Sequence, residues 1–135
     1  MKKNTILILI IACLLTMMTA CSGVPVKGGV LLKEGTVKKI SVTSLPEGYD
    51  YSFSGDDVQS VVNYLSELNL TSEYSENPDE YDGMTWVISL EYESGDTLMI
   101  YHFGNMFIRT AGSSWYKMTH EEASRFDKLI GELSK

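Results

Sequence analysis

The order of apolar and polar positions divides the chain into a leader, a connecting stretch and a folded domain. Residues 5 to 20 carry no charge and centre on the run ILILIIACLL. Residues 22 to 35 (SGVPVKGGVLLKEG) show little periodicity. From Val37 to Leu45 β-branched residues recur, which predicts a strand, and Pro46-Glu47-Gly48 predicts a turn. Tyr49, Tyr51 and Phe53 alternate with polar neighbours and predict a second short strand. Val58, Val61, Val62, Leu65 and Leu68 then recur at helical spacing. Ser54 is the expected cap of that helix, with Asp57 completing a weak capping box, and Asn69 its expected stop.

Leu70 to Tyr74 reads as extended, and Ser75 to Gly83 as a loop. Three β signals follow. Met84 to Tyr92 places Trp86, Ile88, Leu90 and Tyr92 on one face. Thr97 to Phe103 returns after Ser94-Gly95, and Met106 to Thr110 returns again after Gly104-Asn105, with Trp115 to Met118 beyond. Two-residue loops would set Trp86 opposite Phe103, Ile88 opposite Tyr101 and Leu90 opposite Met99, with Ile108 beside Tyr101. On that register His102 falls on the other face, with Val87, Ser89, Leu98, Ile100 and Phe107. Thr119 and Glu122 form a good capping box for a closing helix whose apolar face is Ala123, Phe126, Leu129, Ile130 and Leu133. The expected class is α+β: an antiparallel β-meander with two helices packed on it, after an N-terminal signal helix.

With 135 residues, 44% of them apolar and 10% aromatic, the chain has the composition of one globular domain plus a targeting segment. A net charge of -7 argues against nucleic acid as a partner. Lys2 and Lys3 precede the apolar run, which is short for a spanning helix of about 20 residues. The run ends in Met18-Thr19-Ala20-Cys21.

That ending resembles the lipobox of bacterial lipoproteins, usually Leu-Ala/Ser-Gly/Ala-Cys, with Met18 standing where Leu is commonest. The resemblance implies cleavage between Ala20 and Cys21, a diacylglyceryl thioether on Cys21, and Cys21 as the mature N-terminus. Residues 1–20 are then the signal peptide, 21–35 a flexible lipid-anchored tether and 36–135 the domain, with packing of the apolar patch Val30-Leu31-Leu32 on the domain as the alternative for that stretch. The implied location is the extracytoplasmic face of the cell membrane. Two acyl chains anchor stably where one does not. Cys13 leaves with the signal, so the mature chain is expected to hold no disulfide and no thiol nucleophile. The domain also resembles, in pattern alone, small uncharacterised lipoproteins of Gram-positive bacteria, which carries over no functional residue.

Without Lys2 and Lys3 the chain has nine basic and eighteen acidic side chains. Residues 22–40 sum to +3, residues 41–96 to -13 with no Lys or Arg, and residues 97–135 to +1. The anchored domain is expected to hold this acidic region away from an anionic bilayer, which repels it; the alternative is that the acids simply keep a small exported domain soluble.

Candidates for chemistry are few. Ser114-Trp115-Tyr116-Lys117 has the Ser-x-x-Lys spacing of penicillin-binding enzymes but neither companion motif. His102 and His120 have no ligand at a metal-binding spacing. Asp56 and Asp57 suit a helix N-terminus better than a catalytic pair. Glu73, Glu76, Asn77, Asp79, Glu80 and Asp82 gather oxygen ligands on one loop. A calcium-responsive site there is the alternative function, with Glu76, Asp79, Glu80 and Asp82 as its metal candidates. The Tyr and Trp side chains are first the core and second a glycan or peptide platform. The leading expectation is a non-catalytic, membrane-anchored binding or accessory module. Its expected partner is a basic envelope protein or a cell-wall component, with no cofactor. A small hydrolase is the least favoured reading.

Overall fold

The computed structural model describes residues 23–71, 77–104 and 106–135. Ala20, Cys21, Glu73 and Glu76 lie outside these, so the signal, the acylation site and part of the acidic loop do too. Among the described residues no helix is long and apolar enough to cross a membrane.

The described chain forms β1 (Pro25–Lys27), a 3-10 turn (Gly28–Leu31), β2 (Val37–Leu45), β3 (Asp50–Ser54) and α1 (Asp56–Glu67). Then come β4 (Asn69–Thr71), a second 3-10 turn (Pro78–Glu80), β5 (Thr85–Tyr92), β6 (Thr97–Phe103), β7 (Phe107–Thr110), β8 (Tyr116–Lys117) and α2 (His120–Leu133). The eight strands form one antiparallel sheet in the order β1-β4-β8-β7-β6-β5-β2-β3, with β1 and β3 at its edges. Two helices cover one face. The α+β class and the meander expected from the pattern are present.

β5 alternates as its sequence requires: Trp86, Ile88, Leu90 and Tyr92 are buried and their neighbours are not. β2 contributes Ile40 and Val42 to the same face, and α1 contributes Val58, Val61, Tyr64 and Leu65. From α2, Phe126 packs at the centre, its ring 6.0 Å from Trp86 and 5.4 Å from Tyr64. The predicted stripe of α1 omitted Tyr64, whose hydroxyl donates to the Glu122 carbonyl at 3.0 Å and ties the two helices.

Three expectations need correction. First, Ser54 does not cap α1. It still pairs with Lys39 as the last residue of β3, and Gly55, at φ +62°, turns the chain into the helix without a side-chain cap.

Second, the register of β6 is shifted by one residue. Tyr92 N–H donates to the Asp96 carbonyl at 2.9 Å, so the loop is Glu93-Ser94-Gly95 with Gly95 at φ +91°. A three-residue loop ending in a left-handed glycine replaces the two-residue loop. Trp86 then faces His102, Ile88 faces Ile100 and Leu90 faces Leu98. The next loop also holds three residues, because Phe103 pairs with Phe107 and His102 with Ile108. Since side chains alternate with a period of two, each one-residue shift exchanges the faces.

Third, the expected tether of residues 21–35 is largely folded. Pro25 to Lys27 pair with Thr71 to Asn69, and Gly28 N–H donates to the Leu68 carbonyl at 2.8 Å. A Cβ on Gly28 would sit 1.9 Å from the Leu65 carbonyl oxygen, so this approach requires glycine. Leu31 is buried in the core, and Lys33 N–H donates to the Tyr92 hydroxyl at 3.1 Å. Composition marks the segment as linker, but Gly28, Leu31 and Leu32 serve packing.

The predicted capping box of α2 is present. Thr119 Oγ1 accepts from Glu122 N–H at 3.2 Å, and Glu122 Oε2 accepts from Thr119 N–H at 3.3 Å. The other carboxylate oxygen of Glu122 accepts from the Asn69 backbone at 2.6 Å and its amide at 2.9 Å. Burial acts to raise the Glu122 pKa, but these hydrogen bonds outweigh it and hold the carboxyl below its ordinary range.

Candidate functional site

The sheet face away from the helices carries the outward side chains of β6 and β7. Tyr101 and Arg109 are paired neighbours there, as are Phe103 and Phe107. Phe103 and Phe107 are buried without belonging to the main core. What covers them comes from two connecting segments. Residues 78–83 pass over Phe103 closely enough that a Cβ on Gly83 would lie 3.1 Å from its ring. From the segment before β8, Trp115 sets its ring 6.2 Å from Phe103.

Arg109 completes the wall. Its guanidinium carbon lies 4.3 Å from the Trp115 ring centroid and 5.7 Å from that of Tyr101. Such stacking attracts a cation to the faces of both rings. A cavity of about 390 Å³ opens between these side chains, Tyr81, Asp82 and Leu45. A neighbouring hollow of about 350 Å³, reached past Tyr81 and Phe103, extends to Met106 and Lys117. The pair makes an aromatic groove with the cations Arg109 and Lys117 and the carboxylate Asp82. Leu45 and Tyr81, at 49% and 52% exposure, leave apolar surface on its rim. Aromatic walls with a few charged groups suit a flat ligand that is partly apolar, such as a peptide segment or a sugar ring.

The sequence-predicted candidates fall elsewhere or only partly here. Asp82 is exposed and lines the groove. Glu80 is exposed, and Asp79 lies in the 3-10 turn beside it. Among the described residues no three His, Cys, Asp or Glu side chains are grouped to hold a metal ion. Ser114 is exposed in the connection before β8, not at a helix start. His120 is exposed at the start of α2, and Asp56 and Asp57 are exposed in the first turn of α1.

His102 is in the core, not on the outer face. It is 1% exposed, and its ring stacks on Phe126 at 4.9 Å and 21°. Neither ring nitrogen has a hydrogen-bond partner, and burial pushes its pKa down to about 4.

The groove was not predicted as a unit, because Tyr101 and Phe103 were expected on the core face. Gly95 was the available signal, since a three-residue loop with glycine last reverses that assignment. No protein-family model matches the chain, and neither a curated protein nor a solved structure is similar to it.

Proposed function

We propose that the protein is a lipid-anchored extracytoplasmic lipoprotein. It acts as a non-catalytic binding or accessory module for an envelope partner, through the aromatic groove. The observation that carries the binding role is the Arg109–Trp115 stack beside Tyr101 and Phe103, on a sheet face the helices leave uncovered. An Arg and three aromatic rings are the residue types that dominate contact surfaces. Location rests on the Lys2-Lys3, apolar run and Cys21 pattern. Binding is favoured over hydrolysis because the described residues that line the groove include no Ser, Cys or His, and His102 lies on the opposite side of the sheet.

The test is photo-crosslinking in intact cells from a probe at Tyr81, with a probe at Tyr49, also exposed, as control. The expected result is a discrete adduct from position 81 alone, lost when Trp115→Ala is added. Equal adducts from both positions, or an adduct indifferent to Trp115→Ala, would count against the groove. Release of Cys21→Ala from the membrane fraction is the matching expectation for the anchor.

A further inference from the structure

We infer that the β1 edge of the sheet rests against the headgroup layer of the membrane and the β3 edge points away from it. This orientation depends on the lipoprotein reading of Cys21. Its basis is the length of chain that remains once the tether is found to be folded. Only Ser22, Gly23 and Val24 separate Cys21 from Pro25, the first residue of β1. Four extended Cα steps span at most ~14 Å, against ~50 Å for the expected connection to residue 35. A thioether at Cys21 therefore holds β1 at the bilayer surface.

The surface at that edge fits the contact. β1 is three residues long, begins with a proline that has no N–H, and carries Lys27. Such an edge is closed to further strands and compatible with a hydrated headgroup layer. Val24 and Val30, on either side of it in sequence, are 53% and 55% exposed. Strands β1, β4 and β8 hold Lys27 and Lys117 and no acidic residue. An anionic surface attracts nearby lysines.

The opposite edge has the opposite character. β3 carries Asp50, with Glu47 in the turn before it and Asp56 and Asp57 at the start of α1 after it, against Lys38 and Lys39 on β2, of which Lys38 pairs with Glu91 at 2.7 Å. β3 is seven strand positions from β1, or ~34 Å at the usual spacing. That exceeds the screening length of about 8 Å several-fold, so repulsion between these acids and the bilayer is screened in this pose. The groove, on β6 and β7 between the two edges, then opens sideways to partners close to the membrane.

The test uses chain 21–135, which contains every residue of the fold, coupled through Cys21 to a maleimide lipid. The carrier is a nanodisc of phosphatidylcholine and phosphatidylglycerol containing a gadolinium-chelating lipid. Amide signals are compared with and without gadolinium. The amides of Val26, Lys27 and Val30 are expected to be attenuated several-fold more than those of Asp50 to Ser54. Attenuation that is uniform, or strongest in β3, overturns the orientation. Because the lipid is coupled chemically, this result is independent of processing in the cell. Mass spectrometry of the chain from its native membranes supplies the other arm. An acylated Cys21 with a failed nanodisc result removes only the orientation. An unacylated Cys21 removes the lipoprotein reading, and the orientation with it.

Discussion

The imidazole of His102 lies 4.9 Å from the ring of Phe126 and nearly parallel to it, sealed under α2 in the centre of the core. A protonated imidazole there would be a charge without solvent or partner. The folded protein therefore binds this proton far less readily than the unfolded chain.

The sign of the pH effect follows. The folded pKa is about 4 against 6.5 unfolded, so the unfolded state takes up more protons between those values. The contribution of neutral His102 is complete above about pH 6.5 and is lost as pH falls toward 4. The loss amounts to about 3 kcal/mol. Denaturant unfolding from pH 8 to 4 should show this slope, and His102→Phe should flatten it. An unchanged slope in that variant would place the titrating group elsewhere.

Glu122 should behave as a structural carboxylate. It accepts from Asn69 and Thr119, so Glu122→Ala leaves the Asn69 and Thr119 N–H groups without this acceptor. A loss of about 2 kcal/mol is expected, measured by thermal or urea unfolding. Because hydrogen bonding lowers its folded pKa, its contribution is present above the unfolded carboxylate value and lost as pH falls through the folded one. This limb begins at lower pH than that of His102. It should persist in His102→Phe and vanish in Glu122→Ala.

Gly28 and Gly29 are neighbours with opposite tolerance. Gly28→Ala drives a methyl group into the Leu65 carbonyl oxygen and the Leu68 side chain, whereas a Cβ on Gly29 meets nothing within 4 Å. Gly28→Ala should cost about 1–3 kcal/mol, and Gly29→Ala should stay within about 0.5 kcal/mol of the parent. Equal stability of the two variants, by urea midpoint, would mean that the entry segment does not pack as described.

Trp115→Ala should separate stability from binding. The ring lies outside the main core and contributes chiefly through Arg109 and Phe103. Its removal is expected to cost about 1 kcal/mol, visible as a small shift in unfolding midpoint, with the circular dichroism of the native sheet retained. Loss of the folded signal would show that Trp115 is needed for the fold itself.

How far the sequence discloses this architecture depends on the element. β2 and β5 alternate clearly, and their extents and inward faces are legible from their side chains alone. β6 is different: Leu98, Met99, Ile100, Tyr101, His102 and Phe103 are apolar or aromatic on both faces, so hydrophobic pattern cannot choose between registers. Loop length decides instead, and an assumed two-residue loop places Tyr101 and Phe103 inside and His102 outside. The groove stayed hidden for that reason. The entry segment was hidden for another. Its glycine content suits a linker and a close backbone approach equally well, and only the position of Leu65 and Leu68 tells Gly28 from Gly29.

The two hairpin loops on either side of β6 thus act as a spacer that assigns its surfaces. Were each loop closed with two residues, Glu93 pairing with Asp96 and Phe103 with Met106, β5 and β7 would stay where they are and β6 would turn over between them. His102 would be delivered to water, and Tyr101 and Phe103 to the interior beneath α2. The pairing that closes these corners therefore reaches further than substitutions within the strand, because it decides which side chains of β6 line the inside of the sheet and which the outside.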